Sequence, residues 1–197
     1  MKAIGGILAA IIVGAIAVMF IGHMNSVPKL DESVKASWSQ VQNQYQRRAD
    51  LIPNLVATVK GYAAHEKEVL TQVTEARAKV SQMTVTPETL SNPQAFAAFE
   101  KAQGELSSAL SRLMMVSERY PDLKADKNFM ALQVQLEGTE NRISVARRDY
   151  IQSVQAYNLE LRTVPGRWVA AILYPEAAVK ETFTAEPQSQ KAPAVSF

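Results

Sequence analysis

The hydrophobic pattern divides the chain into an apolar head and a longer part with helical periodicity. From Ala3 to Gly22 there is no charged residue. Beyond the head, apolar and aromatic residues recur at alternating steps of four and three, which is the repeat of long helices that pack along one another. No segment shows the strict alternation of a β-strand. The pattern predicts an all-α protein, with an N-terminal transmembrane helix and an elongated antiparallel bundle of long, coiled-coil-like helices.

The apolar head is long enough to cross a bilayer. As a helix rising about 1.5 Å per residue, it reaches roughly the 30 Å of a hydrocarbon core. A cleaved signal peptide is the alternative, because Ala15-Ile16-Ala17 resembles a cleavage site. This triplet lies inside the apolar run, however, and the apolar regions of signal peptides are only about 7–15 residues long. We therefore predict a retained anchor at residues 1–24, with the lipid bilayer as its partner.

Small residues recur on one face of this anchor. Gly6, Ala10 and Gly14 are four residues apart, a spacing that lets two transmembrane helices approach closely. A segment rich in Ala and Gly also gives this spacing by chance, so a packing face and a chance pattern both stay open. Lys2 precedes the span and favours a single-pass topology, with the N-terminus in the cytoplasm and the domain on the outer side.

The longest periodic segment predicts one helix from about Pro28 to about Met83. Pro53 lies inside it and removes one backbone hydrogen bond, so we expect a bend near Asp50–Asn54. Gly61 is a second weak point, because glycine is a poor helix former. We expect this helix to lie along its partners over its whole length.

Two further long helices follow the first one. The cap-and-proline pair Asn92-Pro93 opens the second, and the third covers about Ala125–Arg162. A short apolar helix around Trp168 closes the domain, which we place at residues 25–183. Residues 184–197 are rich in Pro, Gln, Ser and Ala, which predicts a disordered tail.

Composition and charge narrow the classes of function. Hydrophobic residues make up 47% of the chain and charged residues 20%, close to the average of globular proteins, which excludes a wholly disordered chain. The formal net charge of +2 is too small, and too evenly mixed in sign, for a nucleic-acid-binding protein. The absence of cysteine excludes disulfides, thiolate metal sites and cysteine nucleophiles.

Residues suited to catalysis or metal binding are sparse. His23 and His65 are the only histidines. The pair His65-Glu66 resembles the start of a zinc-protease helix, but Val69 stands where this motif needs its second histidine. No nucleophile and base are paired. The sequence therefore predicts no catalytic residue, no metal site, no cofactor and no enzymatic activity.

Charged residues fall instead in the apolar phase of two helices. Arg48 is in phase with Tyr45 and Ile52, and Glu140 is in phase with Ile143. Charges on such a seam are costly unless they are paired, and paired charges can fix the register of long helices. A binding site with acid–base carboxylates is the alternative. We predict a structural polar layer between helices, formed by Arg47, Arg48, Asp50, Glu137, Glu140 and Arg147.

Three blocks of residues carry a family resemblance. They are Ser37–Val41 with Arg47–Val56 and Val59–Tyr62, then Glu118–Ala125 with Phe129 and Leu136–Ile143, then Ala146–Tyr150 with Val154, Tyr157-Asn158 and Pro165. In this order they resemble the LemA family over most of Pro28–Tyr174. The resemblance implies a bacterial, single-span, helical protein without an assigned enzymatic activity. Members of that family often stand beside genes for membrane-embedded metalloproteases or for secretion.

These observations predict a membrane-anchored structural or scaffold protein of the bacterial inner membrane. Apolar stripes with Trp38, Tyr62, Phe96, Phe99 and Trp168 supply more apolar surface than a rod of three helices needs, so we expect a homo-oligomer. The alternative is an adaptor or regulator of another envelope protein, such as a membrane-embedded protease or a secretion system. We expect no nucleic-acid partner.

Overall fold

The protein is almost entirely helical in the part of the chain that the computed structural model describes, which is residues 11–15, 18, 20–83 and 85–184. No residue in these ranges lies in a β-strand, so the predicted all-α class is confirmed. After an N-terminal apolar helix, the long helices are α1 (Ser26–Tyr62), α2 (Lys67–Ser81), α3 (Pro93–Ser117) and α4 (Lys127–Arg162), and a shorter helix, α5 (Gly166–Leu173), follows them. Short helical turns at Pro87–Ser91 and Pro121–Lys124 lie in the connections.

The two longest helices, α1 and α4, run antiparallel along the bundle. At one end, the hydroxyl of Tyr62 donates to the carboxylate of Asp126 at 3.0 Å. At the other end, His23 Nδ1 lies 2.9 Å from Glu160 Oε1. The helices have 37 and 36 residues, so each extends about 55 Å at about 1.5 Å per residue. The bundle is therefore elongated, as the sequence predicts.

The prediction of one helix over Pro28–Met83 is wrong. α1 ends at Tyr62, and the chain reverses over residues 63–66 before α2 begins. α2 then runs back along α1, so that the side chain of Arg77 reaches the backbone of Ala49. The bundle consequently has four long helices rather than three.

The hydrophobic phase explains why this reversal is not visible in the sequence. Tyr62 and Val69 are seven residues apart, so the repeat continues across the turn as if the helix did. Gly61, the predicted weak point, lies two residues before the turn, but a single glycine does not by itself end a helix, and neither a proline nor an Asn-Gly pair marks the turn. The reversal places Leu70 and Val73 in the same buried cluster as Val59.

α1 passes through Pro53 without ending. Proline has no N–H, so the carbonyl of Ala49, four residues earlier, loses its intrahelical partner. The Nε of Arg77 donates to this oxygen at 3.0 Å. A side chain of α2 thus replaces the missing backbone donor, and the helix continues through the Asp50–Asn54 region.

Side-chain caps set the starts of α3 and α4. Asn92 Oδ1 accepts from the Ala95 amide at 3.0 Å, so the predicted start at Asn92-Pro93 is confirmed. α4 begins at Lys127 rather than Ala125, because Asp126 is its N-cap and accepts from the Phe129 amide at 2.8 Å.

The core consists of two clusters stacked along the bundle. The cluster nearer the N-terminal segment is aromatic, with ring centroids of Trp38 and four other rings 5.1–6.0 Å apart: Phe96, Phe99, Tyr150 and Phe183. The cluster at the other end is mainly aliphatic and includes Ile52, Leu55, Val59, Leu106 and Leu113. The core therefore changes from aromatic to aliphatic along the length of the bundle, and the change occurs near the middle of α1.

A C-terminal extension, residues 174–184, packs back along the bundle without regular structure. The Glu181 amide donates to the Leu90 carbonyl at 2.7 Å, and the Tyr150 hydroxyl donates to the Glu181 carbonyl at 2.9 Å. These bonds bring Phe183 into the aromatic cluster. The sequence predicts a disordered tail from residue 184; its residues 185–197 lie outside the described part.

The N-terminal apolar segment leads into α1 through a turn at Met24-Asn25. Within Ile11–Tyr62 lies a stretch long and apolar enough to cross a membrane, and only 7% of it is buried. A core helix of a soluble domain would be mostly buried, so its exposure favours a span. Of the predicted packing face, Gly14 is exposed with no atom near its Cβ position, while Gly6 and Ala10 lie outside the described residues.

Candidate functional site: a polar layer around Arg48

A buried arginine lies between the two core clusters. Arg48 of α1 is 2% exposed. One terminal nitrogen of its guanidinium donates to the Ser107 hydroxyl at 2.9 Å and to Glu140 Oε1 at 3.1 Å, and the other donates to Gln103 Oε1. Side chains from α1, α3 and α4 therefore meet at one charge. We call Arg48, Gln103, Ser107 and Glu140 the Arg48 layer.

Helical phase places Arg48 inside the bundle. Tyr45 precedes it by three residues and Ile52 follows it by four, and both are buried, so Arg48 shares their face. The guanidinium carbon also lies 5.1 Å from the centroid of the Tyr45 ring, within the range of a cation–π contact. Glu140 lies at the rim, with 42% of its side chain exposed. The layer thus pairs a fully buried cation with a carboxylate that keeps contact with water.

The structure places three of the six residues predicted for this layer elsewhere. Asp50 accepts from Gln46 on the surface of α1, and Glu137 accepts from Gln133 on the surface of α4. Arg47 is exposed and forms no ion pair within the described residues. Arg47 is one position and Asp50 two positions from Arg48, and the rotation of about 100° per residue turns their side chains away from the core. Glu137 lies one turn before Glu140 and is exposed on the solvent side of α4.

Arg147, the sixth predicted residue, lies beside the layer rather than in it. Its guanidinium is 3.7 Å from Glu100 Oε1, and its central carbon is 4.2 Å from the centroid of the Phe183 ring. Glu100 in turn accepts from the Thr184 amide at 3.0 Å. Arg147 therefore links α4 to α3 and to the C-terminal extension.

The sequence prediction missed the contribution of α3. Gln103 and Ser107 supply two of the three acceptors of the Arg48 guanidinium. Gln103 is buried and follows Phe99 by four residues and precedes Leu106 by three. A polar residue in the middle of an apolar helical stripe was the available signal, since such a side chain needs a partner when it is buried.

A cleft of about 240 Å³ opens beside the layer. α3 and α4 form its walls, and Phe183 and Thr184 of the C-terminal extension close one side. Three cations and two carboxylates line it: Arg48, Lys101, Arg147, Glu100 and Glu140. The opposite charges are largely paired with each other, so the cleft offers little net charge to a ligand.

The electrostatics of the layer favour a structural role. Burial raises the pKa of Tyr45 above its ordinary value, although the nearby cations Arg147 and Arg48 act in the opposite direction. Tyr45 therefore stays neutral at physiological pH. The Nε of Arg48 is buried without a hydrogen-bond partner in the described part of the chain. The other guanidinium nitrogens hold Arg48 in place through their hydrogen bonds to α3 and α4. These bonds fix the positions of α1, α3 and α4 relative to one another along the bundle axis.

The two histidines lie away from this layer. His23 pairs with Glu160 at the N-terminal end of the bundle, and His65 is exposed in the turn between α1 and α2. Within the described ranges, no group of three or more His, Asp or Glu side chains is arranged to hold a metal ion. The arrangement around Arg48 is thus suited to joining helices.

Known proteins resemble this chain over most of its length. The magnetosome proteins MamQ 1 and MamQ 2 of Paramagnetospirillum magneticum are each 24% identical over 182 residues, which cover 84% of this chain and 67% of theirs. Protein LemA of Metamycoplasma hominis is 22% identical over 151 residues, covering 77% of this chain and 65% of that protein. The chain thus spans about two thirds of the length of these relatives.

The family comparison agrees with the residues that first carried the resemblance. The LemA family matches residues 37–197, a range that contains the Arg48 layer and all the bundle helices after the start of α1. Together with the candidate span, the relatives indicate a membrane-associated helical protein. On the extent of this match, the chain belongs to the LemA family.

Proposed function

We propose that this protein is a scaffold of the bacterial inner membrane, anchored by residues 1–24, that self-associates through the outer side of its bundle. The proposal takes the N-terminus to be cytoplasmic and the bundle to lie on the outer side. It assigns no enzymatic activity and no nucleic-acid partner. The observation that carries it is an apolar stripe on α4 that no element in the described part of the chain covers.

The stripe consists of exposed apolar side chains on one face of α4. Met130, Val134, Val145 and Leu159 are between 47% and 68% exposed. They are separated by 4, 11 and 14 residues, all sums of steps of three and four, so they share one face of the helix. The buried residues of α4 lie on the opposite face. We call these four residues the α4 stripe.

Exposed apolar residues arranged in a line favour contact with another protein surface. Polar residues such as Glu137 and Arg148 interrupt the α4 stripe, so we expect the contact to be weak between free domains. A membrane anchor raises the effective concentration of neighbouring bundles, which converts a weak contact into a stable assembly. The small-residue face of Gly6, Ala10 and Gly14 would add a second contact inside the bilayer.

The Arg48 layer supports this role by fixing the bundle. A scaffold must hold its surface stripe in a constant position, and charges paired on a seam specify the register of long helices. The layer ties α4, which carries the stripe, to α1, which continues into the anchor. The layer therefore connects the helix that carries the proposed contact surface to the helix that follows the anchor.

The test is the mass of the full-length protein extracted in detergent, beside a chain that starts at Asn25. We expect an oligomer that weakens or dissociates when the anchor is removed. Replacing Val134 and Val145 by Glu should reduce the mass of the anchored form toward that of a monomer. Met115→Glu, at a comparably exposed apolar residue on α3, is the matched control and should leave the mass unchanged.

Two results would redirect the proposal. A monomer in both forms would defeat the scaffold and favour the alternative, an adaptor that binds a different envelope protein such as a membrane-embedded protease. An oligomer that survives the α4 substitutions but is lost on replacing Gly6 and Gly14 by Leu would place the contact in the anchor instead of the stripe.

A further inference from the structure

The short helix α5 carries an apolar surface of its own. Val169 and Ala170 pack into the bundle. On the other side, Trp168 and Ile172 are four residues apart, so they share the outward face of the helix. Val164, in the turn before α5, and Leu173, the last residue of α5, are exposed as well, and the four side chains are between 43% and 67% exposed. We call Val164, Trp168, Ile172 and Leu173 the α5 face.

The α5 face lies at the end of the bundle from which the N-terminal segment departs. The hydroxyl of Tyr174, the residue after α5, donates to the carbonyl of Met24 at 2.8 Å. Glu160, at the end of α4 just before α5, is 2.9 Å from His23. Met24 and His23 are the residues at which the apolar segment turns into α1. The α5 face is therefore beside the exit point of the candidate span.

Close packing holds α5 in this place. A Cβ on Gly166 would overlap the carbonyl oxygen and the carboxylate of Glu160, so only glycine lets the start of α5 approach α4 this closely. Glu160 is the same residue that pairs with His23. The position of α5 relative to the exit point is thus set by direct contacts.

Positive charges lie near the α5 face. Arg167 is in α5, Arg162 is the last residue of α4, and Lys29 is in the first turn of α1. All three are exposed, and none lies within ion-pair distance of a carboxylate in the described part of the chain. Glu176, three residues after α5, is exposed as well. Aromatic and aliphatic side chains flanked by Lys and Arg are the composition of segments that lie in the interface of an anionic membrane.

We propose that the α5 face is a second membrane contact, which inserts Trp168 and Ile172 into the bilayer interface beside the span while Arg162 and Arg167 face anionic headgroups. The proposal rests on the membrane anchor of the proposed function. It commits to lipid as the occupant because the span itself brings this end of the bundle to the membrane surface. A span and a surface contact together would hold the bundle at a fixed tilt relative to the membrane, because they attach it to the bilayer at two places.

Intrinsic tryptophan fluorescence tests this contact, since Trp38 and Trp168 are the only tryptophans and Trp38 is buried in the aromatic cluster. The full chain and its Trp168→Phe variant are reconstituted into vesicles of phosphatidylglycerol and phosphatidylcholine. A parallel set of vesicles contains lipids brominated near the top of the acyl chains, which quench only tryptophans that touch them. Flotation of the vesicles measures anchoring in the same samples.

We expect brominated lipid to quench the unmodified chain and to leave the Trp168→Phe variant unquenched. Ile172→Trp in the Trp168→Phe background should restore the quenching. Met130→Trp in the same background is the matched control: Met130 is exposed at the opposite end of the bundle, and its tryptophan should stay unquenched.

The outcomes separate the two proposals. A chain that does not float with the vesicles refutes the membrane anchor itself. A chain that floats but shows equal quenching with and without Trp168 overturns the lipid contact and leaves the anchor standing. A Trp168 emission that shifts to the blue in vesicles without quenching by brominated lipid also overturns it, because protein would then cover α5.

Discussion

The buried charge of Arg48 predicts that a partly exposed carboxylate, Glu140, contributes more to stability than surface carboxylates usually do. Glu140→Ala removes a carboxylate that is 42% exposed, and such surface groups ordinarily contribute about 0–1 kcal/mol. Here its loss leaves the guanidinium of Arg48, 2% exposed, with only the neutral acceptors Gln103 and Ser107. We therefore expect Glu140→Ala to destabilise the protein more than its exposure indicates.

The magnitude follows from the two burials. Removing one partner of a fully buried pair costs about 3–5 kcal/mol. Because water screens the exposed part of Glu140, we reduce this to about 2–3 kcal/mol. For a domain of this size, about 1 kcal/mol shifts Tm by about 2–4 °C, so Tm should fall by roughly 4–12 °C. Arg48→Met removes the buried charge altogether, leaves Glu140 to hydrate, and should cost about 1–2 kcal/mol for the lost hydrogen bonds to Gln103 and Ser107.

The assay is thermal unfolding of the full chain in detergent micelles, followed by circular dichroism. The double variant Arg48→Met/Glu140→Ala should unfold within about 0.5 kcal/mol of Arg48→Met alone, because the second change no longer strands a charge. Glu137→Ala, one turn before Glu140 and bonded only to Gln133, is the matched control and should be nearly neutral. Equal effects of Glu137→Ala and Glu140→Ala, or additive effects in the double variant, would refute the reasoning.

Three further predictions concern the connections of the bundle. Arg77→Ala should lower stability by about 1–3 kcal/mol in thermal unfolding, because it leaves the Ala49 carbonyl without a donor; an unchanged Tm would contradict this. Gly166→Ala should cost about 1–3 kcal/mol through overlap with α4, whereas Gly61→Ala, with open space around its Cβ, should be neutral or stabilising. The Phe129 amide donates to the Asp126 cap and lowers the pKa of this carboxyl below its ordinary value of 3.8. The ionised cap therefore contributes to the stability of the fold above about pH 3.8, and this contribution is lost as the pH falls through the pKa of the folded state. Asp126→Asn keeps a cap and should show a smaller fall in Tm from about pH 5 to about pH 2; an equal fall would contradict this.

Most of the helices could be predicted because they have local signals. Apolar residues at steps of three and four identify the buried faces, and Asn92 marks the start of α3 by a side-chain oxygen that can bond a free amide. Asp126 caps α4 in the same way, but the sequence prediction places that start at about Ala125. The turn at residues 63–66 has only one weak signal, Gly61, two residues before it. Its residues are compatible with a helix, and the chain reverses because packing α2 against α3 buries Leu70 and Val73, a gain that only the folded structure reveals.

Part of the polar layer could be predicted for the same reason. Phase alone shows that Arg48 and Glu140 face inward, and two inward charges of opposite sign on neighbouring helices have a reason to meet. The helical phase does not give the axial offset, which is the height of one helix relative to its neighbour along the bundle. The contributions of Gln103 and Ser107 depend on that height, which is why α3 was missing from the prediction.

The packing of the aromatic residues changes the argument for self-association. In the predicted bundle of three helices, the aromatic residues of the sequence exceed what the helices can bury. The C-terminal extension supplies a further partner: Trp38, Phe96 and Phe99 pack in one cluster with Phe183, and all four are buried. A surplus of aromatic residues therefore no longer supports an oligomer. The proposed oligomer is supported instead by the α4 stripe, whose exposed apolar residues lie on the side of α4 opposite the core. The exposed Trp168 has a separate explanation, its position beside the candidate span. We therefore propose different partners for the two exposed apolar surfaces: another copy of the protein for the stripe along the bundle, and lipid for the face at its end.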